Sequence, residues 1–432
     1  MTTSELGERP SSTASVASAP PSWRLTAETL ADYLVEIGGT LVSYGCPSYR
    51  LEEVIRVVAD LEGFTAQAFA IPTGLFVSVQ RIGASGPHAA PILRMVRVKE
   101  WGTNLDRLVL VDRIFNDVAD RRTPIEDARR RLRELDRRPP PYPSALRWVA
   151  AAIVSGAAAV FFRGGPAEVA VAAATGLMVA VFAWALSKNP SGRFLVDFLG
   201  GLTAAMLAWG FTRIRPELSR EVIVLSGVIA LVPGMTLTTA LAELAQKNLV
   251  SGAARLMEAF VAFLSILFGI ALAIGFEHIL GADPGPSPVR QGLALPFQAL
   301  ALVLASLAFA VLFSVPRAFI WAAVASGAIG YVATALGTRY LPGHVSAFAA
   351  ALAICLVSNV FARATQRPAQ LFQLPGMMLL VPGSFGFTSL EDFLRGDFVG
   401  GTAKGFAMLL IAGALVTGVL LANVLLPAKK LL

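Results

Sequence analysis

The chain has 432 residues, of which 55% are hydrophobic and only 15% are charged. Soluble domains carry about a quarter charged residues, so this composition favours a membrane protein. The net charge of +7 does not indicate a nucleic-acid partner, because the basic residues form no nucleic-acid motif and nine arginines lie between positions 121 and 147. A basic cluster directly before the first apolar segment is instead typical of a cytoplasmic membrane face, where it can contact anionic headgroups.

The distribution of charge divides the chain into domains. Residues 1–23 are rich in Ser, Ala, Pro and Thr and lack an apolar core, which predicts a disordered tail and not a signal peptide. Residues 24–140 have the mixed charge pattern of a small cytosolic α/β domain. The rest of the chain consists of apolar segments with few charges, which predicts a polytopic α-helical membrane domain.

The cytosolic domain is predicted to contain both helices and strands. Apolar residues at helical spacing predict helices over four segments: 25–44, 49–61, 103–119 and 123–135. Alternating apolar residues predict strands within 65–80 and over 92–98. Thr26 is a plausible N-cap of the first helix, and Thr123 with Glu126 is a capping box that places Pro124 at the first position of the fourth helix.

The segment Pro72-Thr73-Gly74 lies between two predicted strands and has two interpretations. It is either a ligand loop or a tight hairpin turn, and the hairpin is favoured. No phosphate-binding loop, zinc signature or nucleophile elbow occurs in the domain. Cys46 and Cys355 lie in different domains, and the three histidines lack ligand spacing, so the sequence predicts neither a metal site nor a cofactor.

The membrane domain contains ten apolar segments. They cover residues 145–162, 166–186, 194–211, 221–240, 256–276, 293–314, 318–336, 343–361, 371–388 and 403–426. Most reach the roughly 20 residues that cross a ~30 Å hydrocarbon core. The arginine cluster predicts a cytoplasmic N-terminal domain, and an even number of crossings returns the C-terminus, with Lys429 and Lys430, to the same side.

An internal repeat relates the two halves of this domain. Residues 225–273 align with 374–422 at a constant offset of 149, so that Leu-Val-Pro-Gly at 231–234 falls on the same four residues at 380–383. Each half, 145–277 and 293–426, contains five segments. An odd number predicts that the second copy enters the membrane from the opposite side, as in inverted-repeat transporters. A re-entrant segment is the alternative.

The two Leu-Val-Pro-Gly motifs predict interrupted helices. Proline removes a backbone donor and glycine permits unusual dihedrals, and backbone groups freed within a bilayer survive only beside protein or a polar cavity. Paired interruptions are therefore candidate substrate sites. The predicted substrate-binding residues are the motif residues and the hydroxyl residues that follow: Pro233, Gly234, Thr236, Thr239, Pro382, Gly383, Ser384 and Thr388. A simple kink is the alternative.

Acidic residues within or beside the apolar segments are candidates for proton coupling. These are Asp197, Glu243, Glu258 and Asp392. A carboxylate in hydrocarbon is costly, and burial raises its pKa into a range that suits a coupling proton. Alternatively, Asp197, Glu243 and Asp392 are solvated at the membrane surface, and Arg255 neutralises Glu258 from three residues away on the same helix.

Several motifs resemble the threonine/serine exporter family. Gly-Cys-Pro-Ser-Tyr-Arg-Leu-Glu at 45–52 and Pro-Thr-Gly-Leu-Phe-Val-Ser at 72–78 resemble the N-terminal half of that family. Pro316-Arg317, Gly-Ala-Ile-Gly at 327–330, Phe-Ala-Arg at 361–363 and the second Leu-Val-Pro-Gly resemble its C-terminal half. The resemblance covers roughly residues 24–426 and implies that both halves are fused in one chain.

The resemblance implies an inner-membrane exporter of threonine, serine and small peptides that is driven by the proton-motive force. Its small-molecule partners would be an amino acid and protons, and a homo-oligomer stays open. A hydrolase role has been suggested for the soluble domain of the family, but this sequence contains no triad for it. A second alternative is an amino-acid sensor, in which Tyr49, Arg50 and the Pro72-Thr73-Gly74 loop would hold the ligand.

Overall fold

The computed structural model describes residues 26–83, 90–99, 102–189, 192–280 and 292–428. The predicted tail and the two C-terminal lysines lie outside these residues. The described chain is mostly helical, with a small antiparallel sheet near its beginning.

The N-terminal part of the described chain, which is predicted to be soluble and is called the soluble domain for that reason, is built from four helices and three strands. In chain order they are α1 Ala27–Ser43, α2 Ser48–Leu61, β1 Phe64–Ile71, β2 Gly74–Arg81, β3 Ile92–Arg97, α3 Leu105–Ala119 and α4 Ile125–Arg137. Thr26 caps α1 as predicted, since its side chain accepts a hydrogen bond from the Thr29 N–H at 3.1 Å. The predicted capping box at Thr123 is wrong. Pro124 has an extended ψ of 152° and is itself the N-cap, so α4 begins one residue later without a side-chain cap.

The sheet has the order β1-β2-β3, and all neighbouring strands are antiparallel. Ile71 pairs with Gly74, so Pro72 and Thr73 form a two-residue hairpin turn, the favoured interpretation of that segment. Helix α1 packs on β2 and β3, and α2 packs on β1. Gly38 permits the close approach, because a Cβ there would lie 2.2 Å from Leu75 Cδ2.

The membrane part follows as a series of apolar helices. They are α5 Ser144–Phe161, α6 Pro166–Ser187, α7 Val196–Ile214, α8 Arg220–Val228, α9 Gly234–Ala245, α10 Leu249–Ile279, α11 Leu295–Leu312, α12 Ile320–Tyr340, α13 Gly343–Thr365, α14 Gln370–Met378, α15 Gly383–Leu394 and α16 Phe398–Leu425. Eight helical segments of the described chain are long and apolar enough to cross a membrane.

Two of the ten predicted crossings, 194–211 and 221–240, are not among those eight segments. Helix α7 carries Asp197 and Arg213 near its two ends, which lowers its apolar character. The segment 221–240 is divided into α8 and α9, and neither piece alone is long enough to cross the hydrocarbon core. The equally divided α14 and α15 are counted together, as Gln370–Phe393, among the eight.

The internal repeat reappears in the packing of the helices. A Cβ at Gly269 would lie 2.1 Å from the Phe198 carbonyl oxygen, and a Cβ at the equivalent Gly418 would lie 2.8 Å from the Phe348 carbonyl oxygen. Three further pairs of glycines make matching close contacts in the two halves: Gly176 and Gly327, Gly227 and Gly376, and Gly252 and Gly401. Small residues let helix backbones approach closely in membranes. Both halves use equivalent contacts of this kind.

Backbone hydrogen bonds join the soluble domain to the segment that follows α11. The backbone N–H groups of Leu105 and Asp106 donate to the carbonyls of Phe313 and Ser314, both at 2.9 Å. Buried residues of the soluble part and of α11 to α14 form one continuous hydrophobic core. The soluble domain is therefore packed directly against the second half of the membrane part.

Candidate functional site

Both Leu-Val-Pro-Gly motifs interrupt a helix. Helix α8 ends at Val228 and α9 begins at Gly234, while α14 ends at Met378 and α15 begins at Gly383. The prolines have nearly the same conformation, with φ and ψ of −80° and 42° at Pro233 and −81° and 31° at Pro382. The predicted interruptions are present in both halves, and the two breaks share one backbone geometry.

The two breaks lie against each other. A Cβ at Gly234 would lie 2.1 Å from Val381 Cγ1, and a Cβ at Gly383 would lie 2.6 Å from Val232 Cγ1. The contact is reciprocal, because each glycine meets the valine of the other motif. The absence of a side chain at both glycines is what allows this approach.

A cavity of about 270 Å³ lies beside this contact. Its wall includes Ile229 from the first break and the continuous stretch 378–381 from the second, together with residues of α5, α11 and α12. Proline has no N–H, so the carbonyls of Ile229 and Met378, four residues before each proline, lose their usual helical donor. Both residues line the cavity.

Three hydroxyl residues line the cavity: Tyr331, Thr334 and Ser384. The Tyr331 hydroxyl donates to Gln298 Oε1 at 3.0 Å and so joins α12 to α11. Of these three residues, sequence reasoning proposed only Ser384. Tyr331 directly follows the family-like Gly-Ala-Ile-Gly motif, whose last residue, Gly330, also lines the cavity. That motif was the feature of the sequence that could have identified Tyr331.

Of the eight predicted substrate residues, Ser384 alone is part of the cavity wall as described. Pro233, Gly234, Pro382 and Gly383 form the breaks beside the cavity, and Thr236, Thr239 and Thr388 lie on the helices that follow. Thr388 Oγ1 donates to the Phe385 carbonyl within its own helix at 3.3 Å. A substrate-binding role for these three threonines stays a prediction.

Glu243 lies at the junction of the soluble and membrane parts and is fully buried. Its Oε1 accepts from the Ser48 N–H at 3.0 Å, and its Oε2 accepts from Ser251 Oγ at 2.7 Å. Arg255 Nε lies 3.2 Å from the same Oε2. Ser48 is the first residue of α2, so the carboxylate stabilises a helix N-terminus as well as an arginine. Arg255 thus forms an ion pair with Glu243. The alternative drawn from the sequence had Glu258 as its partner.

The equivalent pair in the second half is Asp392 and Lys404, whose charged atoms are 2.7 Å apart. This pair is more accessible, because the side chain of Lys404 is 43% exposed and that of Arg255 only 11%. Two candidate acids of the sequence, Glu243 and Asp392, therefore occupy equivalent ion pairs and not the cavity wall.

The other two candidate acids are brought together. The carboxyls of Asp197 on α7 and Glu258 on α10 are close enough to interact electrostatically, although they are 61 residues apart in sequence. Both side chains are half-buried. Two carboxyls at one place can share a proton, because like charges disfavour double ionisation.

Two buried acids were missed by the sequence analysis. Glu168 is fully buried and accepts from the backbone N–H groups of Gly165 at 3.0 Å and Ser219 at 3.1 Å. Glu277 forms a two-pronged ion pair with Arg220. Glu168 lies three residues after Gly165, which directly precedes Pro166. This spacing is a helix-capping signal that is visible in the sequence.

The family-like residues of the soluble part lie at the same junction. Cys46 is 1% exposed, and burial raises the pKa of its thiol to about 12, so it is no nucleophile at neutral pH. Tyr49 and Arg50 are half-buried in the first turn of α2, next to Ser48. The described residues contain no group of three or more side chains placed to hold a metal ion.

Comparison with known families agrees with these features. A family model described as "Putative threonine/serine exporter" matches residues 32–276, more than half of the chain, and one described as "Threonine/Serine exporter, ThrE" matches residues 298–425. The chain belongs to the threonine/serine exporter family. The resemblance drawn from the motifs is confirmed, and the chain is a membrane protein of a transporter family with both family halves fused.

Curated members of the threonine/serine exporter family and related proteins cover much of the chain. The threonine/serine exporter of Corynebacterium glutamicum is 25% identical over 89% of this chain and 80% of its own length. An uncharacterized protein of Schizosaccharomyces pombe is 24% identical over 81% of this chain, and this chain spans about half, 47%, of that relative. The pheromone-regulated membrane protein 10 of Debaryomyces hansenii is 22% identical over 84% of this chain and 36% of its own length. No solved structure matches the chain.

Proposed function

We propose that this chain exports threonine, serine or similar small amino acids through the cavity between the two helix breaks. The observation that carries the proposal is the reciprocal contact of Gly234 and Gly383 with the opposite valines, beside a cavity of about 270 Å³. Pockets for drug-sized ligands measure about 300–1,000 Å³, so this cavity suits a free amino acid. The name of the Corynebacterium relative supports the same substrate class.

The chemistry of the wall fits an amino acid. In this proposal the carbonyls of Ile229 and Met378 accept hydrogen bonds from the substrate ammonium group. The helices α9 and α15 begin at the breaks, and the partial positive charge of a helix N-terminus favours the substrate carboxylate. The hydroxyls of Tyr331, Thr334 and Ser384 select a hydroxylated side chain.

The proposed architecture is two inverted repeats of five crossings each. Three contacts support it. Glu243, in the last turn of α9, accepts a hydrogen bond from the soluble domain, and Leu371 at the start of α14 packs in a core with the same domain. At the opposite ends of these helices, Arg395 after α15 pairs with Glu221 at the start of α8, 2.8 Å away. The two broken helices accordingly run in opposite directions. Rocking of one repeat against the other would then alternate access to the cavity.

In the proposed orientation, the soluble domain and the C-terminus face the cytoplasm at the inner membrane, next to the arginine cluster. Ser48 of the soluble domain holds Glu243 of the first half, and Leu105 and Asp106 hold the end of α11 in the second half. We infer that the soluble domain couples the two halves at this face. This role takes the place of the hydrolase and sensor alternatives.

The proposal assigns proton coupling to Asp197 and Glu258. These two carboxyls interact with each other and can share a proton. Glu243 and Asp392 are held in ion pairs with Arg255 and Lys404. The two ion pairs are therefore assigned to fixing the ends of the broken helices.

The substrate site can be tested with purified protein in proteoliposomes loaded with radiolabelled threonine. Removing one substrate hydrogen bond, in Tyr331→Phe or Ser384→Ala, is expected to slow threonine efflux about 2- to 10-fold, as the loss of ~0.5–1.5 kcal/mol predicts. Thr388→Ala is the matched control outside the cavity and is expected to keep the parent rate. No efflux from the parent, or equal losses in all three variants, contradicts the proposed site.

Proton coupling is tested in the same liposomes with and without an imposed pH gradient. Asp197→Asn and Glu258→Gln are expected to keep threonine exchange at equal pH but to lose the acceleration by the gradient. Asp392→Asn, which removes an equivalent charge from an ion pair, is expected to keep that acceleration. If the parent rate does not change with the gradient, proton coupling is refuted while the substrate site stands.

A further inference from the structure

A groove between α5, α6 and α11 forms another cavity, with a volume of about 440 Å³. We call it the lateral groove. No lining residue of its described wall has a polar side chain, and all three helices are among the eight segments that are long and apolar enough to cross a membrane. Its wall shares Ala157 and no other described residue with the cavity beside the breaks, so the two are different sites.

The groove exists because α6 and α11 both pack on α5 but have few contacts with each other. The face of α5 between them carries small residues, including Ala152, Gly156 and Ala157, which leave the space unfilled. The side chains of Leu177 on α6 and Leu300 on α11 also line the groove and are 39% and 55% exposed. Lipid tails are as apolar as these side chains, so the groove opens sideways to the hydrocarbon of the membrane.

The length of the lateral groove matches one leaflet of a bilayer. Its lining residues extend over 149–160 on α5 and 166–177 on α6, eleven residue steps on each helix. At 1.5 Å per residue this is about 16 Å, and half of a ~30 Å hydrocarbon core is ~15 Å. The third side extends over 293–304, from just before α11 to its middle. The groove thus runs from the ends of these helices to about the middle of the membrane.

The groove begins at the membrane face opposite the soluble domain. The Tyr142 hydroxyl, just before α5, donates to the Val315 carbonyl, just after α11, at 2.7 Å. Backbone hydrogen bonds from the soluble domain reach the same segment after α11, so the start of α5 and the end of α11 lie beside that domain. The groove includes the other ends of both helices, with Val160 near the end of α5 and Leu293 just before α11. A chain that enters it therefore comes from the leaflet remote from the soluble domain.

A hydrocarbon chain is the occupant that fits this groove. Water in a buried site needs several polar partners, and the wall offers apolar side chains. Apolar wall atoms without neighbours lose dispersion contacts, and a flexible chain of methylene groups restores them along the whole length of the groove. We propose that the lateral groove binds one acyl chain of a membrane phospholipid from the leaflet opposite the soluble domain.

The bound acyl chain would join the two halves of the membrane part. Helices α5 and α6 belong to the first half and α11 to the second, and all three line the groove. A ligand that binds the assembled form and not the unfolded chain raises the stability of the assembled form. The inference needs the membrane location of the protein and does not depend on which molecule is exported.

The test uses the full chain, purified and reconstituted into phosphatidylcholine vesicles that contain a phosphatidylcholine with a photoreactive diazirine in one acyl chain. After illumination, lipid adducts are located by mass spectrometry of peptides. Ala152→Leu and Ala173→Leu fill the groove from α5 and from α6. Ala174→Leu is the matched control, because Ala174 is an exposed residue of α6 that does not line the groove as described.

We expect adducts in the parent and in the control to concentrate on the groove residues, above the level on the exposed face of α16 at Phe406 and Leu410. Both filled variants should lower the groove adducts about 10-fold or more, the factor that corresponds to ~1.4 kcal/mol of binding free energy. They should leave the adducts on α16 unchanged, because that face is distant in sequence and is not altered.

The proposal is overturned if the groove of the parent has no more adducts than α16, a result that does not require the variants to fold. Equal groove adducts in the parent and in the filled variants also overturn it. A second copy of the chain as occupant would instead give disulfide-linked dimers of Leu300→Cys in the vesicles and no groove adducts, and this result likewise rejects the acyl chain.

Discussion

The contact between the two helix breaks can be probed by Gly234→Ala. The added Cβ would lie 2.1 Å from Val381 Cγ1, whereas carbon atoms in contact lie about 3.5–4.0 Å apart. One backbone or the other must therefore shift by more than ~1 Å, because valine is stiff at χ1 and cannot easily turn away. Overpacking of this kind costs about 1–3 kcal/mol of stability.

Gly413→Ala is the matched control, since nothing lies within 4 Å of a Cβ at that position in α16. An alanine in an open helical position stabilises by up to about 1 kcal/mol, so the two substitutions should have opposite signs. Val381→Ala removes the clashing methyl. The double variant Gly234→Ala/Val381→Ala should then recover ~1 kcal/mol or more relative to the sum of the single effects.

Thermal unfolding of purified protein measures all four variants, and threonine efflux from proteoliposomes reports on the cavity beside the contact. We expect Gly234→Ala to lower both the unfolding temperature and the efflux rate. If it unfolds at the same temperature as Gly413→Ala, or if Val381→Ala gives no relief, the two breaks do not touch as described.

Three further predictions concern the junction of the two domains. Glu243→Gln leaves the buried Arg255 poorly paired and should cost about 3–5 kcal/mol of stability. Asp392→Asn, in the equivalent pair with the more accessible Lys404, should cost ~1 kcal/mol or less. Urea unfolding compares the two variants, and equal costs would contradict the burial of Glu243. Burial, together with the charge of Glu243, raises the pKa of Glu52. The protonated carboxyl therefore stabilises the folded state below its ordinary pKa, and this stability is lost as pH rises through the raised pKa. Glu52→Gln should therefore gain stability relative to the parent between pH 4 and pH 7 in thermal scans, and a constant difference would refute the shift. Cys46, with a pKa of about 12 and 1% exposure, should resist maleimide at pH 8 until the protein is unfolded, and rapid labelling of the folded protein would show an open junction.

The sequence determined the class of protein and the two breaks, because these depend on local chemistry. Runs of apolar residues must be buried in lipid or protein wherever they lie, and proline removes a helical hydrogen-bond donor in any context. The hairpin at Pro72 and Thr73 and the cap at Thr26 were predictable for the same reason. The repeat also needed no structure, since four identical residues in register are visible in the printed chain.

The tertiary structure decided which polar groups meet. A carboxylate in an apolar segment is equally consistent with a cavity, a proton site or a junction, and spacing along the chain does not fix which helices pack together. Glu243 binds Ser48, 195 residues earlier, and only the folded chain brings that pair into contact. Tyr331 reaches the cavity because α12 packs beside the second break, a choice made by the long-range packing of small residues and not by the local sequence.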